Sequence, residues 1–302
     1  MRVRFSPLHQ IHLSMGRRIN LGKVLRDIKE NETRTERKSV VEDINKACVA
    51  GVTCSGAFSA LAVKRQCRSL LSILNEDTFD REKFFGEFSK FYTLVMAPDK
   101  RAKGVFHPSQ LLTACPRQMT YDLMNMAPSD RIAPHIGPEL QRVFDVGTWY
   151  HVYMQNILYQ IGLLEQAEVP VVNKEKYLNG KADGVFKEEV FGEKVVLEIK
   201  TMNSWTFQKA VFKPFAKHEF QASLYARELG AKKVLYLYIN KDTSEIRDFL
   251  MPINEEQLAQ ADKKMADVIS HVKSGSLPKR TCTDRDCENA WACPFASLCF
   301  KD

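Results

Sequence analysis

The sequence predicts an α/β protein: a mixed central sheet flanked by helices, with a helical N-terminal region before it and a cysteine-cluster tail after it. Three observations carry this reading. Residues 1–105 hold few strand-like runs. From Gln110 onward, short β-branched runs alternate with segments of helical period. Four of the eight cysteines, Cys282, Cys287, Cys293 and Cys299, crowd the last 21 residues. A chain of 302 residues that is 44% hydrophobic and 27% charged can bury a core without disulfide staples, so global disorder and a collagen-like architecture are excluded.

The elements follow in order. Arg37 to Leu74 has apolar positions at helical spacing (Val40, Val41, Ile44, Cys48, Leu61, Val63, Leu70, Ile73), interrupted at Gly51 and Gly56. A second amphipathic segment surrounds Phe84, Phe85, Phe88, Phe91 and Tyr92. Pro98 to Pro108, with Gly104 between, reads as a linker. The predicted division is therefore a basic helical region over 1–105 and a second domain over 106–302. Ser109 or Thr113 is placed to cap a helix reaching Met124. A longer helix is expected over Glu139–Gly162, then strands over Ala167–Val172, Gly180–Phe186 and Lys194–Thr201. The third, Val195-Val196-Leu197-Glu198-Ile199-Lys200, is β-branched and apolar, as a central strand requires. A helix over Pro214–Leu229, strands over Lys233–Ile239 and Ile246–Pro252, and a helix over Glu255–Lys273 complete the series.

The net charge of +7 is unevenly distributed. Residues 1–105 carry 20 Lys and Arg against 12 Asp and Glu; the remainder carries 24 against 25. Such a basic segment fits a polyanionic partner, nucleic acid first, or else a solvated helical surface. No apolar run is long enough to span a bilayer. The N-terminus has Arg2 and Arg4 but no long apolar stretch or small-residue cleavage site, so a cytoplasmic protein without membrane partners is expected.

The chemistry-bearing residues centre on Asp183 and, fifteen positions on, Glu198-Ile199-Lys200. In a strand, Glu198 and Lys200 share a face and Ile199 points to the other. A hairpin turning through Phe191-Gly192-Glu193 would bring Asp183 to Glu198. Two converging carboxylates repel unless a cation lies between them, and oxygen donors suit Mg²⁺ or Mn²⁺. The adjacent lysine can neutralise a phosphate, which points to metal-assisted phosphodiester hydrolysis. His151 lies within the preceding helix. Gln221 and Tyr225, four residues apart, share a face of the following one. Cys115 precedes all of these, and the four tail cysteines follow. Without an oxidising compartment, metal ligation explains the tail better than disulfides, and four soft ligands suit a [4Fe–4S] cluster or zinc alike. Cys48, Cys54 and Cys67 read as small buried hydrophobes. Trp205, Phe207, Phe212 and Phe215 interleave with Lys209, Lys213 and Lys217, which fits either a groove for a single strand or a cover for the sheet.

This ordered set over about Gln110–Asp302 resembles the RecB-like branch of the PD-(D/E)XK nuclease superfamily. In particular it is similar to the iron–sulfur exonucleases that include CRISPR-associated RecB-like proteins, the AddB nuclease domain and phage recombination nucleases. The resemblance implies a restriction-endonuclease-like sheet. It makes His151, Asp183, Glu198 and the Ile199 carbonyl the Mg²⁺ or Mn²⁺ ligands, and Lys200 the catalytic lysine. Gln221 and Tyr225 match the family's Gln-x-x-x-Tyr motif, which positions DNA. Glu168 stands where relatives often carry an acidic residue. Ala182 departs from the Pro-Asp of the superfamily's name, whereas Gly180-Lys-Ala-Asp183 fits the branch. For the cysteines the resemblance favours a [4Fe–4S] cluster over zinc, held by Cys115, Cys293, Cys299 and either Cys287 or Cys282, with Cys287 preferred. The family's usual cysteine three residues before Cys293 is replaced by Ala290. The implied activity is a metal-dependent DNA exonuclease acting on single strands or duplex ends in recombination, repair or phage DNA processing, 5′→3′ preferred, alongside recombination or replication proteins. The alternatives are a non-cleaving nucleic-acid-binding recombination scaffold and a zinc-stabilised interaction protein.

Overall fold

The computed structural model describes residues 39–49, 69, 72–73, 80–96, 102–127, 138–291 and 293–301. Expectations that fall on Cys54, Cys67 and the side chain of Cys48 lie outside the described residues, as do those on Leu61, Val63 and Leu70. Before the sheet come helices α1 (Val41–Val49), α2 (Arg81–Met96), α3 (Pro108–Leu111), α4 (Pro116–Leu123) and α5 (Pro138–Gln160). Strands β1 (Leu164–Asn173) and β2 (Leu178–Phe186) follow, then α6 (Glu188–Phe191), β3 (Val195–Met202) and α7 (Ser204–Phe207). Helix α8 (Ala216–Glu228), strands β4 (Lys233–Asn240) and β5 (Ile246–Pro252), helix α9 (Glu255–Ser274) and two short tail helices, α10 (Glu288–Trp291) and α11 (Ala296–Cys299), complete the chain.

The five strands lie in the order β1-β2-β3-β4-β5. Neighbours run antiparallel except β3 and β4, which are parallel from Val195↔Lys233 to Met202↔Asn240. The crossover between that parallel pair contains α8, as a parallel connection needs a covering helix. A long helix, three antiparallel strands, a crossover helix and a parallel fourth strand form the mixed sheet flanked by helices, the α/β architecture that the sequence predicts.

β3 is the centre of this sheet and is covered on both faces. Leu197 and Ile199 pack with Ile157 and Leu158 of α5 and with Val40 and Ile44 of the α1 segment. Val196 and Met202 pack with Ala222 and Tyr225 of α8. Val195, Val196, Leu197 and Ile199 are fully buried, each contributing roughly 1.5–3 kcal/mol. That sum offsets the several kcal/mol it costs to hold an ionisable group, Glu198, among them.

Three local expectations are corrected. The Pro98–Pro108 linker ends inside the core: Phe106 is buried, its N–H donates to Tyr177 O at 2.6 Å, and its carbonyl accepts from Asn179 N–H at 3.0 Å. An aromatic ring at that point is better buried than solvated. Neither Ser109 nor Thr113 caps the helix reaching Leu123. Cys115 does, its Sγ accepting from Gln118 N–H at 3.2 Å, with Pro116 at the first helical position where its missing N–H costs nothing. The β2–β3 connection is longer than a tight hairpin turn, because α6 lies within it. Among the described residues no helix is long and apolar enough to cross a membrane.

Candidate active site

The β2–β3 register pairs Gly184 with Leu197 and Val185 with Val196, and one further step sets Asp183 opposite Glu198. Asp183 is fixed from two sides. One carboxylate oxygen accepts from Ile199 N–H at 2.6 Å; the other lies 3.2 Å from Nδ1 of His151, which projects from α5. Glu198 is 1% exposed and forms an ion pair with the Lys200 ammonium. Neither Glu198 oxygen otherwise accepts a hydrogen bond among the described residues. An imidazole, two carboxylates and an ammonium thus meet at the sheet's centre, contributed by three elements.

Their charges are mutually adjusted. Burial pushes the Glu198 carboxyl up to about 7, with Lys200 opposing the shift and Asp183 adding to it. Burial also disfavours a charged Asp183, but His151, Lys200 and the Ile199 N–H together hold it below the usual carboxylate range. For His151, burial works against the cation, and the neighbouring Asp183 carboxylate more than compensates, raising its pKa. Lys200 is likewise raised: burial lowers it, and Glu198 and Asp183 outweigh that. A carboxyl that burial holds near neutrality is a group that a divalent cation would ionise.

Gln221 and Tyr225 reach the same strands from α8. The Tyr225 hydroxyl lies against Gly180, beside the Lys181 backbone amide and the Gln221 side chain. A Cβ at position 180 would stand 2.6 Å from Tyr225 Cε1, closer than carbon atoms approach. The glycine three residues before Asp183 therefore makes room for the tyrosine of the following helix.

Gln155 was not singled out in the sequence. Its Nε2 donates to the Asp183 carbonyl at 2.9 Å and to Glu168 Oε1 at 2.6 Å. The other Glu168 oxygen pairs with Lys181 at 2.5 Å. Gln155 lies one helical turn after His151, so the i, i+4 relation was the available signal. Glu168 has a left-handed backbone, φ 54°, a conformation that costs a non-glycine residue of order 1–3 kcal/mol and often marks functional sites. Nothing in its sequence context signals this.

The donor set fits a hard divalent ion: two carboxylates, one of them buried with Lys200 as its counter-charge, and an imidazole beside them. In the present arrangement the acids take His151 and Lys200 as counter-charges. No three His, Cys, Asp or Glu side chains among the described residues are grouped closely enough to cage an ion.

The cysteines assemble separately. Cys115, Cys282, Cys293 and Cys299 line one pocket together with Gln118, Tyr121, Arg280 and Phe300. All five cysteines of the region are free thiols. Cys287 is not on that wall; it sits beside Cys282 as its hydrogen-bond partner. Burial, then that bond and the neighbouring thiols, pushes Cys282 up to about 11. Burial also raises Cys293, with Cys115 and Cys299 adding to the shift. The tail is docked on α4: Arg117 Nη1 donates to Pro278 O at 3.3 Å, and the rings of Tyr121 and Phe295 lie 5.3 Å apart. A pocket walled by four thiols fits a group bound by soft ligands.

No protein-family model matches this chain, and no curated protein matches it. Solved structures do. The crystal structure of SSO0001 is similar over 71% of this chain and 96% of that one, at 19% identity and TM-score 0.39. An alkaline exonuclease from Laribacter hongkongensis (LHK-Exo) is similar over 62% of this chain and 93% of its own, at 11% identity and TM-score 0.40. The same exonuclease in complex with dAMP gives 13% identity and TM-score 0.39 over the same shares.

Proposed function

We propose that this protein is a divalent-metal-dependent DNA exonuclease acting on single strands or duplex ends in recombination or repair, with residues 106–302 as its nuclease domain. The observation that carries the reading is Glu198: a carboxyl buried in the central strand, left with Lys200 as its counter-charge, opposite Asp183. Such a group is costly to keep unless function needs it.

In this reading Asp183, Glu198, His151 and the Ile199 carbonyl hold Mg²⁺ or Mn²⁺. The bound ion supplies Lewis acidity at the scissile phosphate and a more acidic water. Ile199 N–H and His151 orient the Asp183 carboxylate. Lys200 keeps a fixed positive charge beside the carboxylates, where it stabilises the additional negative charge that develops on the phosphoryl oxygens. Gln221 and Tyr225 brace β2 at Gly180 and present polar groups beside the DNA path. Gln155 and Glu168 fix the backbone carbonyl of Asp183.

The thiol pocket is proposed to hold a [4Fe–4S] cluster on Cys115, Cys282, Cys293 and Cys299, tying the tail to α4. The place of Cys282 on the pocket wall favours it over Cys287, the reverse of the spacing-based preference. Zinc is the alternative occupant.

The test is hydrolysis of end-labelled DNA with and without Mn²⁺. Wild type should cleave, a chelator should stop it, and Glu198→Gln should fall to background while still binding DNA. A wild-type protein that binds DNA but shows no metal-dependent cleavage would instead be the non-cleaving scaffold. Recording the visible spectrum of protein purified without oxygen decides the pocket: absorption near roughly 400 nm indicates iron–sulfur, whereas a colourless sample containing zinc indicates the other.

A further inference from the structure

The segment leaving the C-terminal end of β3 carries four rings, and the structure divides them two and two. Phe207 is buried, and Phe215 packs on the same core with its ring stacked on Tyr238. Trp205 is 69% exposed and Phe212 is 90% exposed. So half of the aromatic run covers the sheet and half faces away from it.

The backbone carrying the outward pair is fixed in place. Asn203 caps α7 by accepting from Thr206 N–H at 2.9 Å, and Ser204 N–H donates to Asp242 at 2.7 Å. Arg247 Nη1 donates to the carbonyls of Phe207 (3.2 Å) and Ala210 (2.6 Å), and its guanidinium covers the Phe207 ring at 4.3 Å. Phe215 N–H donates to the Tyr238 hydroxyl at 2.9 Å. These attachments fix where the backbone places the two exposed rings. Lys209 Nζ lies 4.3 Å over the Trp205 ring. From Thr201 to His218 the sequence has Lys209, Lys213 and Lys217 and no acidic residue.

We propose that Trp205 and Phe212 are a stacking platform for unpaired bases of single-stranded DNA, with Lys209, Lys213 and Lys217 attending its phosphates. The proposal rests on the nuclease reading and narrows its substrate to DNA with a single-stranded portion. Except at its two terminal pairs, a duplex keeps its base faces inside the stack and shows a protein edges and phosphates, so an outward ring gains little from it. An unpaired base offers a face, and exposed rings on a fixed backbone can meet it without the segment being ordered first. The acid-free lysine run supplies the matching charge for a polyanion. Trp205 follows Lys200 by five residues, so the chain keeps their Cα atoms within about 18 Å. A strand entering the site is thus within reach of the platform.

The test uses the full chain in chelator, so that nothing is cleaved, and reads the anisotropy of a labelled oligo(dT) and of a blunt duplex of equal length. The combined Trp205→Ala and Phe212→Ala variant should bind oligo(dT) about tenfold to a hundredfold more weakly and the duplex as before. Lys209→Ala with Lys213→Ala should weaken both and flatten the salt dependence. Both rings are exposed, so an unchanged melting temperature establishes that the ring variant is folded. Unaltered oligo(dT) affinity in that folded variant overturns the proposal, and so does an equal loss for the duplex. Cleavage by wild type in Mn²⁺ reads the nuclease assignment separately. A chain that loses oligo(dT) binding with the rings yet never cleaves keeps the platform and sinks the nuclease. One that cleaves while ring removal leaves binding intact does the reverse.

Discussion

The carboxylate site and the thiol pocket are assembled in opposite ways. The first stands on adjacent β2 and β3, closed by one helix before them and one after, and its central residue is 1% exposed. The second joins the cap of α4 to a tail more than 160 positions later, with only single-turn helices around the tail cysteines. In the first, each charged group already has a counter-charge: His151 for Asp183 and Lys200 for Glu198. In the second, four thiols line a shared pocket with Gln118, Tyr121, Arg280 and Phe300, and among the described residues no carboxylate is on its wall. A sheet site can be complete by its fold alone, whereas a tail site depends on what fills it.

Substitutions can break that contrast. The largest effect is expected at Lys200. Lys200→Ala should lower the cleavage rate by about 10²–10³-fold, as loss of a preorganised charge does, while absorption near roughly 400 nm stays unchanged. Loss of the absorption in that variant would mean the two sites are not independent. Next are the cysteines. Cys282→Ser or Cys293→Ser should abolish the absorption and lower the melting temperature by about 5 °C or more, at about 2–4 °C per kcal/mol. Cys287→Ser should retain the colour, and a colourless Cys287→Ser variant would restore the spacing-based preference.

Smaller effects sharpen the comparison. The raised Glu198 pKa means that the folded chain binds more protons than the unfolded one between about pH 4.5 and about 7. Stability of the metal-free protein should therefore fall as pH rises through that window. His151 adds to the fall, because its raised pKa contributes stability below 6.5 that is lost as pH passes its folded value. Asp183 acts the other way only below 3.8, its depressed pKa giving stability that disappears in acid. Melting temperatures across pH 5–8 check this. Glu198→Gln should flatten the slope, and a slope unchanged in that variant would locate the titration elsewhere. Smallest is Gly180→Ala, which should cost about 1–3 kcal/mol by crowding Tyr225. Combined with Tyr225→Ala it should cost less than the two changes added, as neighbours in contact do.

The sheet was legible because its strands are short, β-branched and separated by turn residues, and the Ile246–Pro252 strand is observed with those bounds. Asp183 and Glu198 were legible through alternation and a short connection. The approach of His151 to Asp183 was not, since spacing along a helix does not say which strand the helix crosses; the family resemblance supplied it. Gln155 was hidden by its type, an amide with no charge to draw attention, and Glu168 by a backbone angle that no residue type announces. Spacing put Cys287 ahead of Cys282, but a loop of either length can close, and it is Cys282 that stands on the pocket wall.

Lys200 is also its own placeholder. By lending its ammonium to Glu198, it gives a counter-charge to one of two acids held side by side in the middle of the sheet. Under the proposed function this pairing is a latch: a cation that drew Glu198 away would release the lysine, and the freed ammonium would then stand beside the phosphate.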